Sequence, residues 1–137
     1  MLRTQGVELL RVHLTGYRLH IDGMFVMIDH NTAFVNPTLL PFWFLEKLNE
    51  LKIRLIEVCP DDQNWVINCL AVRPGHVIVP EGISPRTMDS FCKAGITTRV
   101  VAYDKVALGG GGIHRSTSPL TNPRSDMNLP LDRILRF

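Results

Sequence analysis

The amino-acid sequence predicts a single α/β domain built from a strand-strand-helix-strand (ββαβ) unit that occurs twice. The 137 residues are 45% hydrophobic with a mean hydropathy of +0.08, which is typical of a globular chain rather than a disordered one. Segments with the two-residue period of strands alternate with segments of helical spacing. The pattern recurs after about 43 residues, a period typical of repeat architectures.

The first unit follows a segment that itself resembles a strand. Residues 7–14 alternate apolar and polar side chains and predict a leading strand. The elements of the unit, in the order strand, strand, helix and strand, are predicted at residues 24–28, 32–35, 39–51 and 54–58. In the helix, Phe42, Leu45 and Leu48 have the spacing of an apolar inner face.

The second unit has the same order of elements. Its three strands are predicted at residues 69–72, 77–79 and 98–102. Ser84-Pro85 is a typical helix start and Gly95 a typical residue just past a helix end. The helix side chains expected to face the core are Met88, Phe91 and Cys92.

An ungapped shift of about 43 residues relates the two units. It pairs Pro37 with Pro80, Leu48 with Phe91, Ile53 with Ile96, and Val58 with Val101. Because a unit of this size cannot bury its apolar face alone, two copies are expected to belong to a larger closed array or to expose a surface that needs a partner. We expect the domain to cover residues 1–120 and an irregular tail to cover 121–137, with a short docking helix over 131–137.

Charge and cysteine content exclude several classes of protein. The formal net charge of +2 is too small to favour binding to nucleic acid. No apolar run approaches the 18 or so residues that span a bilayer, so we expect no membrane association and a cytoplasmic location. Cys59, Cys69 and Cys92 show no CxxC spacing, which disfavours disulfides and zinc, and each is interpreted as a small buried side chain.

The strongest local motif is the run of four glycines at 109–112, followed by Ile-His-Arg. Glycine allows close approach and positive φ, so the run would deliver His114 to a fixed point. A phosphate-binding loop is excluded because no Lys-Ser/Thr pair follows. The alternative is a flexible linker in which His114 has no role.

A second motif, Leu-His20-Ile-Asp22-Gly-Met-Phe, lies near the other end of the chain. Together with Asn-Cys-Leu-Ala-Val and Val-Ile-Val-Pro-Glu-Gly at 68–72 and 77–82, and with Leu-Gly-Gly-Gly-Gly-Ile-His114, it resembles the C-terminal part of the guanidino-group-modifying enzymes, the pentein superfamily. The resemblance covers about residues 7–120 and is closest to the amidinotransferase branch, whose relatives include arginine deiminase and dimethylarginine dimethylaminohydrolase.

The resemblance implies a fold and a chemistry. The family fold is a closed, five-fold pseudosymmetric α/β propeller of ββαβ units, of which this chain would hold about two units and the leading strand. The implied ligand is a small guanidino compound or amino acid, and no metal or organic cofactor is implied. The chemistry starts with attack of a cysteine thiolate on the guanidinium carbon and ends with amidino transfer or hydrolysis.

The resemblance also assigns roles to particular residues. His20 corresponds to the general acid/base, and Asp22 to the carboxylate that orients the histidine or the substrate. The substrate-binding positions are Gly111, Gly112 and His114. The family's cysteine position holds Arg115, which has no nucleophilic atom at neutral pH and would repel a guanidinium. We therefore expect the chain to be inactive or impaired, and whether it is an enzyme stays open.

Length is a second departure, since family members are about twice as long and their N-terminal units supply further carboxylates. A truncated gene, a half-length copy and a fragment each account for this, and a homo-oligomer or association with a missing N-terminal portion would complete the array. One alternative is a non-catalytic binding or interaction module with an anion site around Arg115, Ser116 and Thr117. Another is a non-functional fragment with an exposed sheet edge.

Three residues also have ordinary structural interpretations. His20 would be a partly buried histidine beside a strand. Asp22 would cap the turn at Gly23. Trp65 is interpreted as core packing rather than as part of a site.

Overall fold

Two ββαβ units follow one another in the structure, a computed structural model that describes residues 9–14 and 20–118. The first unit consists of β1 (Phe25–Asp29), β2 (Thr32–Val35), α1 (Phe42–Glu50) and β3 (Arg54–Glu57). The second consists of β4 (Leu70–Arg73), β5 (His76–Pro80), α2 (Pro85–Lys93) and β6 (Thr97–Val101). A short helix, α3 (Asp104–Ala107), follows. The predicted α/β class and the order of elements within both units are confirmed.

Each unit forms one three-stranded mixed sheet. The sheet orders are β1-β2-β3 and β4-β5-β6, with an antiparallel hairpin followed by a parallel third strand. The helix between the second and third strands is the crossover that a parallel pair requires. Both hairpins carry an irregularity at the same place, between Met27 and Asp29 in the first and between Ala71 and Arg73 in the second.

The strand registers refine the repeat. The hairpin pair Asp29 and Thr32 corresponds to the pair Arg73 and His76, a shift of 44 residues. The helices and third strands keep the shift of 43, from Phe42 to Pro85 and from Arg54 to Thr97. The second unit therefore has one residue fewer than the first between its hairpin and its helix.

As a result, one of the aligned pairs is off by one position. Pro37 begins a 3₁₀ turn (Pro37–Leu39), whereas Pro80 is the last residue of β5. The pairs of Leu48 with Phe91 and of Ile53 with Ile96 lie in the part where the shift is 43.

The start of α2 agrees with its sequence signals. The Ser84 hydroxyl accepts a hydrogen bond from the Thr87 amide, Pro85 is the first helical residue, and Gly95 follows the helix at φ +76°. The inner face of α1 was predicted wrongly at one position, because Phe42 is 73% exposed while Phe44 is buried. The cause is that residues 37–39 form a separate 3₁₀ turn, so α1 begins later than predicted.

Two apolar clusters form the core, and the larger one holds the two units together. The larger one joins the inner faces of both sheets with α2, and in it the rings of Phe34 and Phe91 lie 4.8 Å apart between centroids. The second cluster covers the opposite face of the first sheet with Phe44 and Leu48 of α1. The first sheet is thus covered on both faces.

The leading strand is not found in the described part of residues 7–14. Residues 9–14 have no strand structure, although Leu10, Val12 and Leu14 pack against the second cluster as their alternation suggested. The alternation reports burial of every second side chain, whereas a strand also needs a neighbouring strand for its backbone hydrogen bonds. The first sheet ends at β1 and β3 among the described residues, so these residues do not extend it.

Two of the three cysteines are buried as predicted. The prediction for Cys92 was wrong, because this residue of α2 is exposed and does not face the core. The tail predicted over 121–137, with its docking helix, lies outside the described residues. No helix within 9–14 and 20–118 is both long and apolar enough to cross a bilayer.

Candidate functional site

Three short 3₁₀ turns gather the polar residues that the sequence singled out. They are Ile21–Gly23 before β1, Asn64–Ile67 before β4, and Ile113–Ser116 after α3. We call them the opening turns, because the first two lead into the first strand of each unit. The first and second opening turns are in contact, and the third lies against β5.

Asp22, in the first opening turn, meets Arg115, in the third, across 93 positions of sequence. The Arg115 guanidinium donates from Nε at 3.2 Å to Oδ2 and from Nη2 at 3.4 Å to Oδ1 of the carboxylate. This is the two-point geometry in which arginine and carboxylate fit each other best. The Asp22 side chain is 17% exposed and that of Arg115 is 35% exposed, so the pair lies at the surface with its carboxylate side covered.

Asn68 follows the second opening turn and joins the other two. Its Nδ2 donates to Oδ2 of Asp22 at 3.0 Å, and its Oδ1 accepts the backbone N–H of His114 at 3.0 Å. The side chain is buried, which matches its having both a donor and an acceptor satisfied by protein groups. Asn68 was not among the predicted site residues.

Two of the four glycines in the run allow the chain to pass close to Asn68. Gly110 has φ +88°, the left-handed region that favours glycine. A Cβ on Gly112 would overlap the side chain of Asn68, whereas a Cβ on Gly111 would lie at an ordinary 3.8 Å from Cβ of Arg115. The close approach expected of the glycines is therefore real at Gly112, and it is made to Asn68.

Tyr103 holds the third opening turn from the side of α3. Its hydroxyl lies within hydrogen-bond distance of the Gly112 carbonyl, at 3.3 Å, and of the Ser116 hydroxyl. The turn closes on itself through the Arg115 amide, which donates to the Gly112 carbonyl at 3.1 Å. These bonds fix the backbone from which the Arg115 side chain extends.

Electrostatics favours the ionised form of Asp22. Burial raises the pKa of the carboxyl, but the hydrogen bonds from Arg115 and Asn68, together with the charges of Arg115 and His114, outweigh it and lower the pKa below its usual range. The His114 ring contributes at longer range, since its Nδ1 lies 3.9 Å from Oδ2 of Asp22. The cluster therefore holds a carboxylate anion facing a guanidinium cation.

The two predicted site histidines differ in their placement. His114 belongs to the cluster through its amide and, more distantly, its ring. His20 is exposed and precedes the first opening turn, where its side chain does not cap the turn. Within the described residues its imidazole has no hydrogen-bond partner, so the structure does not bring it into the contact made by Asp22 and Arg115.

The anion site considered at Arg115, Ser116 and Thr117 is not favoured by the geometry. The Arg115 guanidinium is directed to Asp22. The Thr117 hydroxyl donates to the His114 carbonyl at 3.0 Å, and the Ser116 hydroxyl donates to the Gly112 carbonyl at 3.3 Å. The groups proposed to bind an anion are thus already paired within the protein.

The cluster is separate from a groove found elsewhere on the described chain. A groove of about 770 Å³ runs between β3 and α2 and is lined by residues such as Arg54, Glu57 and Arg86. Neither Asp22 nor Arg115 lines it. In residues 9–14 and 20–118, no three His, Cys, Asp or Glu side chains are grouped so that they could hold a metal ion.

None of the cysteines offers a reactive thiol in the cluster. Cys69 is adjacent in sequence to Asn68 but fully buried, and burial raises the pKa of its thiol to about 12. Cys59 is buried next to α2, where its amide donates to the Thr87 hydroxyl at 2.9 Å. Cys92 is exposed on α2.

The sequence offered one signal for Asn68, which is the first residue of the Asn-Cys-Leu-Ala-Val motif just before the second hairpin. Its two hydrogen-bond partners, Asp22 and His114, each lie 46 residues away, beyond the reach of any local pattern. Trp65, in the second opening turn, is partly buried and its ring lies beside Gly82, as expected for packing.

Comparisons with known proteins give structural matches alone. No protein-family model matches the sequence, and neither does any curated protein. SxtG, an amidinotransferase from Microseira wollei in the saxitoxin biosynthetic pathway, matches with a TM-score of 0.58 and 19% identity over 71% of this chain and 31% of that one.

Two further solved structures show the same similarity. A variant of DDAH from Pseudomonas aeruginosa in complex with citrulline matches with a TM-score of 0.56 and 22% identity over 72% of this chain and 36% of that one. The N-terminal domain of an ArgZ variant covalently bound to a reaction intermediate matches with a TM-score of 0.66 and 18% identity over 80% of this chain and 41% of that one.

The chain thus spans between 31% and 41% of the length of these three structures. At such identities the similarity is one of fold. All three are proteins of the pentein superfamily, which agrees with the motifs in the sequence. The resemblance is confirmed at the level of the fold, since the described part of this chain shares the fold of these three structures.

Proposed function

We propose that this chain is an amidinotransferase-like protein that keeps the guanidinium-recognising side of the family's site but does not catalyse amidino transfer or hydrolysis as it stands. The observation that carries the proposal is the two-point contact between Arg115 and Asp22. A guanidinium lies on the carboxylate that, by the resemblance, orients the histidine or the substrate, and the chain itself supplies that guanidinium.

The absence of a nucleophile supports the second half of the proposal. Arginine has no atom that attacks carbon at neutral pH, and Cys69, the cysteine next to the cluster in sequence, stays protonated and buried. Loss of the nucleophile in other covalent enzymes costs on the order of 10⁴- to 10⁶-fold in rate. Arg115 also fills the place of a substrate guanidinium, so free ligand must compete with a tethered group whose effective concentration is about millimolar or higher.

The test restores a thiol at position 115. In Arg115→Cys the tether is removed and a nucleophile is added, so chloroacetamidine, a cationic probe, binds Asp22 through its amidinium. The thiolate sulfur then attacks the CH₂ carbon of the probe, a C–S bond forms and chloride leaves. Ser118→Cys provides a matched control, since Ser118 is also exposed and lies three residues away.

We expect chloroacetamidine to label Arg115→Cys at least about tenfold faster than Ser118→Cys, the factor that about 1.4 kcal/mol of recognition supplies. Chloroacetamide, which is neutral, should label both at similar rates. Adding Asp22→Asn should remove the preference. Peptide mass mapping separates these adducts from labelling of the exposed Cys92. Equal labelling of the two variants by the cationic probe would contradict the proposal.

The second sheet favours an additional role in association. On the first sheet, the face turned towards the second unit is closed, with Ile28 fully buried, whereas the corresponding Val72 on the second sheet is 45% exposed. Leu70 and Ile78, on the same face, are partly exposed. Within residues 9–14 and 20–118 no further ββαβ unit covers this face.

We propose that a ββαβ unit of a second copy covers this face in the way the second unit covers the first, which would extend the array towards the family's propeller. Light scattering coupled to size exclusion should give an oligomer for the unmodified chain at about 100 µM, well above a micromolar dissociation constant, and a monomer for Val72→Glu. Leu108→Glu, at an exposed position outside this face, is the control. A monomeric unmodified chain, or an oligomer that Val72→Glu leaves intact, contradicts this role.

A further inference from the structure

We propose that Asn68 is the positioning residue of the site: it holds the Asp22 carboxylate and the turn that carries Arg115 in one fixed arrangement. This inference rests on the proposed function, since the arrangement it fixes is the guanidinium-recognising one. Asn68 acts through Asp22 and through the backbone of His114 rather than on a reacting atom. It belongs to the second unit, whereas the residues it joins come from the first opening turn and the third.

The side chain of Asn68 is suited to this role by its chemistry. Its Nδ2 is a donor and meets a carboxylate oxygen, and its Oδ1 is an acceptor and meets a backbone N–H, both at 3.0 Å. An aspartate would keep the acceptor but lose the donor, and an alanine would lose both. Because Asn68 is 7% exposed, water cannot readily replace either bond.

Gly112 gives an independent indication that the position is specified. A Cβ at residue 112 would overlap Oδ1, Cγ and Cβ of Asn68, so the chain passes the amide at a distance that only glycine allows. Gly112 has an ordinary φ of −87°, so its backbone conformation does not require glycine. The contact with Asn68 is therefore the reason for glycine at this position.

Asn68 can join the other two turns because of where it lies in the chain. It directly follows the second opening turn, which is in contact with the first. Its amide therefore reaches both the Asp22 carboxylate and the backbone of the third opening turn.

The test separates the two bonds of Asn68 in the full 137-residue chain. The pKa of Asp22 is measured by NMR titration of its side-chain carboxyl carbon, and the His114 amide by hydrogen exchange. In Asn68→Asp, which has nearly the same shape, the donor to Asp22 is replaced by a second negative charge. The pKa of Asp22 should then rise, while the His114 amide stays protected.

In Asn68→Ala both readouts should change: the pKa of Asp22 rises and the His114 amide exchanges about tenfold faster, the factor for loss of a bond worth about 1.4 kcal/mol. Asn49→Ala, at an exposed position of α1, should change neither. If Asn68→Ala does not fold, the pKa of Asp22 measured in Asn68→Asp alone decides the matter.

An unchanged pKa of Asp22 in a folded Asn68 variant would overturn the positioning role. That failure is distinguishable from failure of the proposed function. The titration needs no substrate, whereas the proposed function is judged by the labelling of Arg115→Cys, in which Asn68 is intact.

Discussion

The ion pair of Asp22 and Arg115 predicts a measurable coupling in a double-mutant cycle of Asp22→Asn and Arg115→Ala. Two unit charges at the 3.2 Å separation of Nε and Oδ2 attract by about 5 kcal/mol at an effective dielectric constant near 20 and by about 1.3 kcal/mol in water. Because the Arg115 side chain is 35% exposed, solvent screening brings the net value towards the lower limit. We expect a coupling of about 1 kcal/mol in the free energy of unfolding.

Urea unfolding of the four proteins at about pH 7 and low salt measures this coupling. About 1 M salt, where the screening length is about 3 Å, should reduce it by roughly half. A coupling below about 0.3 kcal/mol at low salt, within the range of independent sites, would refute the ion pair as a stabilising contact.

The pH dependence of the same pair has a defined sign. The pKa of Asp22 is lowered in the folded protein relative to its usual value near 4, so the stabilisation is fully present above that value and is lost as the pH falls through the folded pKa. The stability difference between the unmodified chain and Arg115→Ala should be constant from about pH 5 to 7 and shrink below about pH 4. A difference that grows in acid would contradict the sign.

Three other predictions concern the packing on which the site depends. Gly112→Ala should lower the free energy of unfolding by about 1–3 kcal/mol through overlap with Asn68, while Gly111→Ala should change it by less than about 0.5 kcal/mol, both measured in urea. Under native conditions a thiol reagent should modify one cysteine, Cys92, and reach the other two on unfolding; native labelling of a second thiol would contradict the burial. Phe91→Ala should cost about 3–5 kcal/mol, and a loss below 1 kcal/mol would mean that this ring does not join the units.

Local signals were enough for most of the fold. The hairpins follow from β-rich runs on either side of short turns, and the start of α2 from the Ser84-Pro85 pair, because these features act over a few residues. Phe42 was misplaced since the chain makes a separate turn at 37–39 before α1 begins. The strand expected over 7–14 needs a pairing partner, which alternation of side chains does not report.

The site could be predicted in part. The resemblance selected Asp22 and Arg115 from opposite ends of the chain, and the structure brings them into contact. That contact depends on how the two units pack, which no local pattern contains. Asn68 begins the Asn-Cys-Leu-Ala-Val motif of the resemblance, but it was given no role in the site. Its two hydrogen bonds reach residues 46 positions away in either direction, which no local pattern reports.

The most direct test of a guanidinium site filled by the chain itself is a titration of L-arginine into Arg115→Ala, the unmodified chain and Arg115→Ala combined with Asp22→Asn. The NMR signal of the His114 amide, which donates to the same Asn68 side chain that holds the carboxylate, reports binding. We predict saturable binding to Arg115→Ala with a dissociation constant on the order of 1 mM, which corresponds to about 4 kcal/mol, and at least about tenfold weaker binding to the other two. Equal binding to all three, or none to Arg115→Ala, would contradict the account.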